Sequence, residues 1–142
     1  MRFIITSIAL LCTLLCQGQT KTQFKVDGVF KGESRSIYTA ESYWGVAEIT
    51  IKKGEIINLA FSIVDKNNGE VFDEKYERHY AGNEAYVQQC RNDFKGVNAY
   101  IAKFNKVKKL EKVDAISGAT WAHNLFTESV KLALEKAKKA KQ

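Results

Sequence analysis

The amino-acid sequence predicts an α+β domain in which a small antiparallel sheet packs against two longer helices. Apolar and polar residues alternate over two adjoining stretches between Trp44 and Val64, which is typical of a pair of strands. Apolar residues then recur at intervals of three and four over 83–104, and again over 119–138, which is typical of amphipathic helices. With 142 residues, 45% of them hydrophobic and 27% charged, the chain has the size and composition of one globular domain.

Residues 1–18 have the features of a secretory signal peptide. Arg2 precedes an unbroken weakly polar run over 3–15, and the small residues near Cys16 and Gly18 suit a signal peptidase. We therefore expect residues 19–142 to form the mature protein, exported to the periplasm or to the outer face of a membrane. The apolar run is shorter than the roughly 20 residues that span a bilayer. Retention as a signal anchor and lipidation of a cysteine are alternatives that the sequence leaves open.

The cysteines and the charge limit the kinds of partner. Removal of Cys12 and Cys16 with the signal would leave Cys90 alone, so no intramolecular disulfide is expected. The formal net charge is +6, and several lysines lie near the C-terminus, where they complement the dipole of a helix end. Export makes a nucleic-acid partner improbable. An acidic partner surface is left open.

The first predicted strand covers residues 28–32, where glycines bound a short apolar stretch, and a polar loop is predicted over 33–36. The hairpin between Trp44 and Val64 comes next. On both of its strands, alternating apolar residues are expected to face the core: Ala47, Ile49 and Ile51 on the first, and Ile57, Leu59, Phe61 and Ile63 on the second.

The register of this hairpin follows from which residues must share a face. The two apolar sets meet if the loop has an odd number of residues. A three-residue loop over 52–54 is therefore predicted, with Gly54 in the left-handed conformation. It would place Ile49 opposite Ile57, and Gly45 opposite Phe61.

Two helices complete the predicted fold, after a segment over 73–80 that is predicted to be a short helix or irregular. The helix over 83–104 contains Gly96, which weakens it slightly. Its predicted inner face consists of Val87, Cys90, Phe94, Val97, Ile101 and Phe104. The inner face of the last helix is predicted to be Ala122, Phe126, Val130, Ala133 and Ala137. Because Cys90 lies on such a face, we expect it to be buried and inert.

Small residues collect over 114–120, directly before the last helix. A helix start has about four unpaired N–H groups and roughly half a positive charge, and both favour a bound phosphate. Gly118 and Ala119 would let a phosphate approach, and Ser117 could cap the helix or hold a phosphate oxygen. The Thr120 hydroxyl would lie where an esterified phosphate is stabilised. The same residues also form an ordinary capping sequence, so their spacing alone does not decide between the two interpretations.

The stretch Asp-Ala-Ile-Ser-Gly-Ala-Thr over 114–120 resembles the flavinylation motif of the FMN-binding domain family. In that motif an aspartate, a Ser or Thr, a Gly, an Ala and a modified Thr occur in this order. Residues 27–32 resemble the opening strand of the family, and Trp44-Gly45 with the turn at 53–54 resembles its second strand. The resemblance covers essentially the whole mature chain and identifies residues 19–142 as an FMN-binding domain.

The resemblance implies that Thr120 accepts the phosphate of FMN in an ester, with Ser117, Gly118, Ala119 and Asp114 as further cofactor-binding residues. In the family a separate flavin transferase moves FMN from FAD onto the threonine with a divalent metal, so no residue of this chain is assigned a catalytic role. The implied function is that of a flavin redox carrier, similar to the exported flavin subunits of sodium-pumping and related electron-transfer complexes. Its expected partners are the flavin transferase and a redox partner protein or membrane electron-transfer complex.

Contacts to the flavin ring are expected from two places, the entrance of the second strand and the start of the last helix. The candidates are Tyr43, Trp44, Gly45, Trp121 and His123. Neither histidine, His79 or His123, has neighbouring cysteines or paired carboxylates in the sequence, so no metal site is predicted. No acid-base pair stands beside the motif, which favours a carrier over a complete enzyme.

Two hypotheses remain at the level of sequence. The first is an electron-transfer protein with FMN joined covalently to Thr120. The second is a module that binds FMN without the ester, or that has lost the flavin and contacts a partner through its helix face. Trp121, Ala122 and His123 favour the second, because the family tends to carry Thr or Ser shortly after the acceptor.

Overall fold

A four-stranded antiparallel sheet with helices packed on one face forms the fold of the computed structural model, which describes residues 23–37 and 40–141. The strands lie side by side in chain order: β1 (Gly28–Arg35), β2 (Tyr43–Lys52), β3 (Glu55–Asp65) and β4 (Glu70–Val71). The long helices are α1 (Glu84–Val107) and α2 (Thr120–Lys139), and short 3-10 helices lie at Tyr76–Tyr80 and Leu110–Lys112. The predicted α+β class is confirmed. The predicted signal peptide over 1–18, with Cys12 and Cys16, lies outside the described residues.

The first strand is longer than its sequence predicts. A loop is expected over 33–36, but residues 33–35 pair with β2, and Arg35 lies opposite Trp44. The prediction of a loop there is wrong because polar side chains are accommodated on the sheet face that points away from the helices. On that face Glu33 pairs with Lys31 and Lys66, at 2.8 and 3.2 Å.

The turn of the β2–β3 hairpin has two residues, not the predicted three. Lys53 and Gly54 both adopt positive φ, 54° and 74°, as a type I′ turn requires. The Asp27 carboxylate accepts hydrogen bonds from both of their amides, at 2.8 and 3.0 Å. Asp27 thus supports a turn that holds a lysine in a region of φ usually left to glycine.

A bulge in β3 shifts the register next to this turn. Ile51 pairs with Ile56 and Thr50 pairs with Asn58, so Ile57 is an extra residue on the bulged strand. Ile57 is 50% exposed, whereas Ile56 is buried. The prediction that Ile57 faces the core is wrong, because the bulge turns it outward.

Past the bulge, Ile49 lies opposite Leu59, and Gly45 lies opposite Ile63, two residues beyond the predicted partners. A two-residue turn followed by a bulge gives the same parity as a three-residue turn. For that reason Leu59, Phe61 and Ile63 face the core as predicted, although their partners differ.

Helix α1 buries four of the six residues predicted on its inner face, and its buried face extends further toward the start of α2. The helix begins after Asn83, whose side chain accepts a hydrogen bond from Tyr86 N at 3.3 Å. Its buried residues are Val87, Cys90, Asp93, Gly96, Val97, Tyr100 and Phe104. Phe94 and Ile101, predicted on the inner face, are only half-buried. The buried face extends in this direction because three of the buried residues contact the segment around the start of α2.

Helix α2 packs its backbone directly onto two strands. All five residues predicted on its inner face are buried. A Cβ atom at Gly32 of β1 would lie 2.0 Å from Ser129 O, and one at Gly45 of β2 would lie 2.6 Å from Leu125 O. Only glycine leaves room for this approach, so these two positions fix the path of α2 across the sheet and the place where its first residue emerges.

Candidate functional site

A tight turn leads into α2 and leaves its first residue exposed. Ala119 N donates to Ile116 O at 3.0 Å, and Gly118 within this turn has a φ of 83° that favours glycine. Ala119 is the N-cap residue and its side chain offers no cap. Thr120, Ser117 and Gly118 are exposed, whereas Ala119 is buried. The residues that could meet a ligand are therefore accessible, and the residue between them anchors the turn.

Side chains of α1 hold the backbone of this turn. The Tyr100 hydroxyl donates to Ala119 O at 3.1 Å and accepts from Ile116 N at 2.9 Å. Gln89 Nε2 donates to Gly118 O at 2.9 Å. Three main-chain groups of the turn are thus satisfied by α1, which fixes the turn without using the side chains of its exposed residues.

Two further contacts press the segment before α2 against the helices. His123 Nε2 lies 2.8 Å from Val113 O, and its ring packs edge-on against Tyr100 at 5.0 Å between centroids. On α1, a Cβ atom at Gly96 would lie 2.5 Å from the Ala119 Cβ. Gly96, which the sequence marks only as a weak helix former, is therefore required for the close approach of α1 to the N-cap of α2.

A buried carboxylate caps α2 from outside. Asp93 Oδ1 accepts from Ala122 N at 3.3 Å, and its Oδ2 accepts from Gln89 Nε2 at 2.7 Å. Burial raises the pKa of Asp93, and these two bonds offset part of that rise. Among residues 23–37 and 40–141, the backbone N–H groups of Thr120 and Trp121 have no acceptor, so they are available to an anion.

A cavity of about 250 Å³ opens beside this helix start. Its walls are Glu41, Tyr43, Phe72, Tyr80, Tyr86, Gln89, Cys90, Asp93 and Trp121. The ring of Trp121 stands edge-on to that of Tyr43 at 5.1 Å between centroids, and Tyr86 stacks on Tyr80 at 5.4 Å. Aromatic rings and a few polar groups thus converge next to Thr120, as in many cofactor sites.

One wall of the cavity is fixed by a carboxylate that precedes β2. Glu41 Oε2 accepts from Trp121 Nε1 at 2.9 Å and from Ser36 Oγ at 2.6 Å. The bond to Glu41 occupies the one N–H group of the indole. It therefore holds the Trp121 ring in place but leaves the ring no donor for a ligand.

Behind the cavity lies a second buried carboxylate, Asp65, which accepts four hydrogen bonds. Its donors are the Ser42 and Tyr76 hydroxyls, the Asn67 amide and the Asn68 side chain. Burial alone would raise the pKa of Asp65, but the four hydrogen bonds together outweigh it, and the pKa lies below its usual value. Asp65 is thus an ionised group whose lone pairs all have donors.

Three tyrosine hydroxyls connect Asp65 to the cavity. Tyr76 donates to Asp65 at 2.7 Å, the Tyr43 hydroxyl lies 3.1 Å from that of Tyr76, and the Tyr80 hydroxyl lies 2.9 Å from that of Tyr43. Burial raises the pKa of Tyr76 to about 12 and the pKa values of Tyr43 and Tyr80 further. All three hydroxyls therefore keep their protons over the physiological pH range.

Cys90 reaches the same cavity from α1. Its thiol is buried, and burial, followed by the charges of Asp93 and Glu77, raises its pKa to about 11. A protonated thiol is a poor nucleophile. The predicted burial of Cys90 is confirmed.

The structure brings the motif residues together at one place. Ser117, Gly118, Ala119 and Thr120 form the turn and the helix start, and Trp121 joins them to the cavity wall. Asp114 is exposed on the segment that precedes the turn.

The other sequence candidates lie apart from the cavity walls, except Tyr43. Trp44 points to the opposite face of the sheet, where Lys66 Nζ lies 3.9 Å from its ring centroid. Gly45 lies under the backbone of Leu125, and His123 holds the segment before the turn. The structure gives these three residues packing and hydrogen-bonding roles.

Most cavity residues are not found by reasoning from the sequence. Phe72, Tyr80, Tyr86, Gln89 and Asp93 lie within residues 72–93 and meet Tyr43 and Trp121 only in the folded chain. One pattern in the sequence could have indicated the cavity. Residues 90, 93, 97, 100 and 104 also follow a spacing of three and four, which places an aspartate on the buried stripe of α1. A buried aspartate needs donors, and such a residue indicates a site.

Other features of the described residues do not indicate a further functional site. A wider and more open depression of about 840 Å³, lined by residues such as Phe24, Lys53 and Lys141, lies at the far end of β2 from Tyr43. Within 23–37 and 40–141, no group of three His, Cys, Asp or Glu residues could hold a metal ion. No helix in this part of the chain has the length and apolar character needed to cross a membrane.

Comparisons with known proteins show the family from one family model and the fold from one solved structure. The family model described as the FMN-binding domain matches residues 43–135, which include the turn, the start of α2 and every wall of the cavity except Glu41. No curated protein matches the chain. A protein from Clostridium perfringens of known crystal structure superposes with a TM-score of 0.55 over 80% of this chain and 88% of that chain, at 18% identity. This likeness concerns the fold alone.

Proposed function

The chain belongs to the FMN-binding domain family and its cofactor is FMN, and from that premise we propose that it is an electron-transfer protein whose FMN phosphate is esterified to Thr120. The observation that carries the proposal is the exposed Thr120 at the first position of α2, next to an aromatic cavity. When bound, FMN supplies the transfer of one or two electrons.

The helix start suits a phosphate ester on Thr120. The free N–H groups of Thr120 and Trp121 point toward the positive end of the α2 dipole, where phosphate oxygens are stabilised. Gly118 adds no side chain at this place, and Ser117 is exposed and offers a hydroxyl. These residues fit a phosphate group.

The turn before Thr120 is already ordered in the unmodified chain. Its main-chain groups are bonded to Tyr100 and Gln89, so the threonine does not need to be ordered when it reacts. The proposed reaction joins Thr120 Oγ1 to the flavin-side phosphorus of FAD, breaks the pyrophosphate bond, releases AMP and passes the hydroxyl proton to the flavin transferase. Asp114, exposed before the turn, is available for recognition by that enzyme.

The cavity beside Thr120 suits the flavin ring. Tyr43, Tyr80, Tyr86 and Trp121 supply aromatic surface, and Asp93 supplies a hydrogen-bond acceptor. We further propose that residues 1–18 direct export, that the mature protein works in the periplasm or at the outer face of a membrane, and that it exchanges electrons with a partner protein or membrane complex.

The test is the mass and colour of the chain produced with and without a flavin transferase. Wild-type protein is expected to gain one FMN group, located on Thr120 by peptide fragmentation, and to stay yellow after denaturation. Thr120→Val should abolish the adduct without loss of stability, since valine keeps the shape of the side chain. Thr127→Val is the matched control on the same helix. Among the described residues the buried Thr127 hydroxyl has no hydrogen-bond partner, so its removal should leave the adduct intact.

Three outcomes separate the candidates. An adduct that persists in Thr120→Val would refute the ester on this residue. Yellow colour that is lost on denaturation would indicate FMN bound without an ester. Protein that takes up no flavin at all would favour an interaction module.

A further inference from the structure

The side-chain donors around the cavity are already in use. Gln89 Nε2 donates both of its hydrogens, to Asp93 and to Gly118 O. The single N–H group of Trp121 is bonded to Glu41. Of the other lining groups that carry a hydrogen, the Tyr86 hydroxyl lies at the exposed rim, and the Cys90 thiol is a weak donor.

The direction of the tyrosine chain follows from counting protons. An ionised carboxylate has about four acceptor positions. Asp65 fills them with four donors, one of which is the Tyr76 hydroxyl. Since each hydroxyl has one proton, Tyr76 must accept from Tyr43, and Tyr43 must accept from Tyr80. The proton of Tyr80 is therefore committed inward, and its oxygen can only accept from anything in the cavity.

We infer that Tyr80 Oη is a fixed hydrogen-bond acceptor in the flavin cavity, held in that role from behind by Asp65. Together with Asp93, it favours the reduced flavin ring over the oxidised one. This inference rests on the proposed seating of the ring in the cavity beside Thr120.

The preference follows from the hydrogens on the ring. The oxidised ring has one N–H group, at N3, and otherwise offers acceptors. Two-electron reduction adds a hydrogen at N5 and, in the neutral reduced ring, another at N1. A wall of acceptors can bond these new N–H groups, whereas it leaves the acceptors of the oxidised ring without donors. A wall without a positive charge also gives no stabilisation to a ring that has lost the N1 proton.

The titratable groups that face the cavity come from three parts of the chain. They are Glu41 and Tyr43 at the entrance of β2, Tyr80 in the 3-10 helix, and Tyr86, Cys90 and Asp93 on α1. The lining residue of α2, Trp121, is not titratable. Since none of these groups carries a positive charge, none counters the preference for the neutral, N–H-bearing ring.

The experiment is a redox titration of FMN-loaded protein, with flavin content measured separately by absorbance and mass. Tyr80→Phe removes the acceptor and is expected to lower the preference for the reduced ring about tenfold, which is about 30 mV in a two-electron midpoint potential. Tyr76→Phe leaves the cavity wall intact but frees the direction of the chain, so its midpoint should move in the same direction. Thr127→Val is the control, because the Thr127 hydroxyl has no hydrogen-bond partner among the described residues and lies outside the Asp65–tyrosine chain, and its midpoint should match the wild type.

A loaded protein in which all these variants share one midpoint potential would overturn the inference and leave the proposed function standing. A midpoint potential that shifts in Tyr80→Phe but not in Tyr76→Phe would overturn the inference that Asp65 fixes Tyr80 as an acceptor. Protein that takes up no flavin, with the transferase or by incubation with FMN, would overturn the proposed function and this inference with it.

Discussion

Replacement of Gly96 by alanine tests whether α1 and the N-cap of α2 are as close as the structure indicates. In a helix without tertiary contacts, Gly→Ala stabilises by about 1 kcal/mol. Here the new Cβ would lie 2.5 Å from the Ala119 Cβ, whereas carbon atoms in contact prefer about 3.5–4.0 Å. One backbone must retreat by about 1 Å or more. Retreat strains the bonds from Tyr100 and Gln89 to the turn.

We expect the clash to outweigh the gain in helix propensity. Overpacking of this kind typically costs about 1–3 kcal/mol. The net effect of Gly96→Ala should therefore be a loss of up to about 2 kcal/mol in the free energy of unfolding, measured by urea denaturation. Attachment of FMN by a transferase should also slow, because the turn before Thr120 moves.

A double-mutant cycle separates the clash from other effects. Adding Ala119→Gly removes the opposing methyl group and should recover most of the stability lost in Gly96→Ala. Ala99→Gly, at an exposed position of the same helix, measures propensity alone and should cost about 1 kcal/mol. If Gly96→Ala raises stability by the amount that this control predicts, the close approach of α1 to Ala119 is refuted.

The remaining predictions concern packing, pH and the turn. Gly32→Ala should be among the most destabilising single substitutions, since its Cβ would lie 2.0 Å from Ser129 O; a melting temperature equal to that of the wild type would refute the packing of α2 on β1. Because burial raises the pKa of Asp93 above 3.8, the folded chain holds a proton that the unfolded chain releases, so this contribution to stability is lost as pH rises from 3.8 through the raised pKa. The difference in unfolding free energy between wild type and Asp93→Asn should change in that window and be constant above it. Tyr100→Phe leaves Ile116 N without its partner, while Ala119 O keeps only the bond from His123 N, and it should cost about 1–3 kcal/mol in urea denaturation, together with slower attachment of FMN; an unchanged rate of attachment would mean that the turn does not need this support.

The strands show what alternation can and cannot predict. Which residues of β3 face inward depends on whether the turn and the bulge together insert an odd or an even number of residues. A two-residue turn with a one-residue bulge inserts three, as the predicted turn does, so the inward face past the bulge is predicted correctly. The pairing register is not predicted correctly, because nothing in the sequence distinguishes Ile56 from Ile57 as the bulged residue. The same parity rule, applied backward from Ala47 and Ile49, selects Tyr43 as inward and Trp44 as outward, which is how the structure places them.

Helix α1 shows that hydropathy alone does not predict which helix face is buried next to a cavity. Two overlapping stripes with the same spacing run along this helix, one through Phe94 and Ile101 and one through Asp93 and Tyr100. Hydropathy selects the first, whereas the second is buried because its polar atoms bond to the turn and to the start of α2. Tertiary hydrogen bonds decided the face, and they cannot be read from one sequence.

The motif could be located from sequence because its geometry is local. The start of α2 depends on neighbouring residues, so the sequence predicts it to within one residue, at 119 against the observed Thr120. The cavity beside them depends on residues that meet only in the folded chain, such as Tyr43, Tyr86 and Asp93. Sequence reasoning therefore indicates the proposed attachment point but not the cavity proposed to hold the ring.

The order of the strands bears on how the chain folds. Each strand of the sheet pairs with its neighbour in sequence, so the sheet can form through short loops with little entropy cost. Docking of α2 onto Gly32 of β1 instead joins the two ends of the described chain. We expect this step to come late, and the site around Thr120 is complete only after it. A modifying enzyme that requires the finished turn would then act only on folded chains. An attached flavin would in that case show that the molecule had completed the docking of α2.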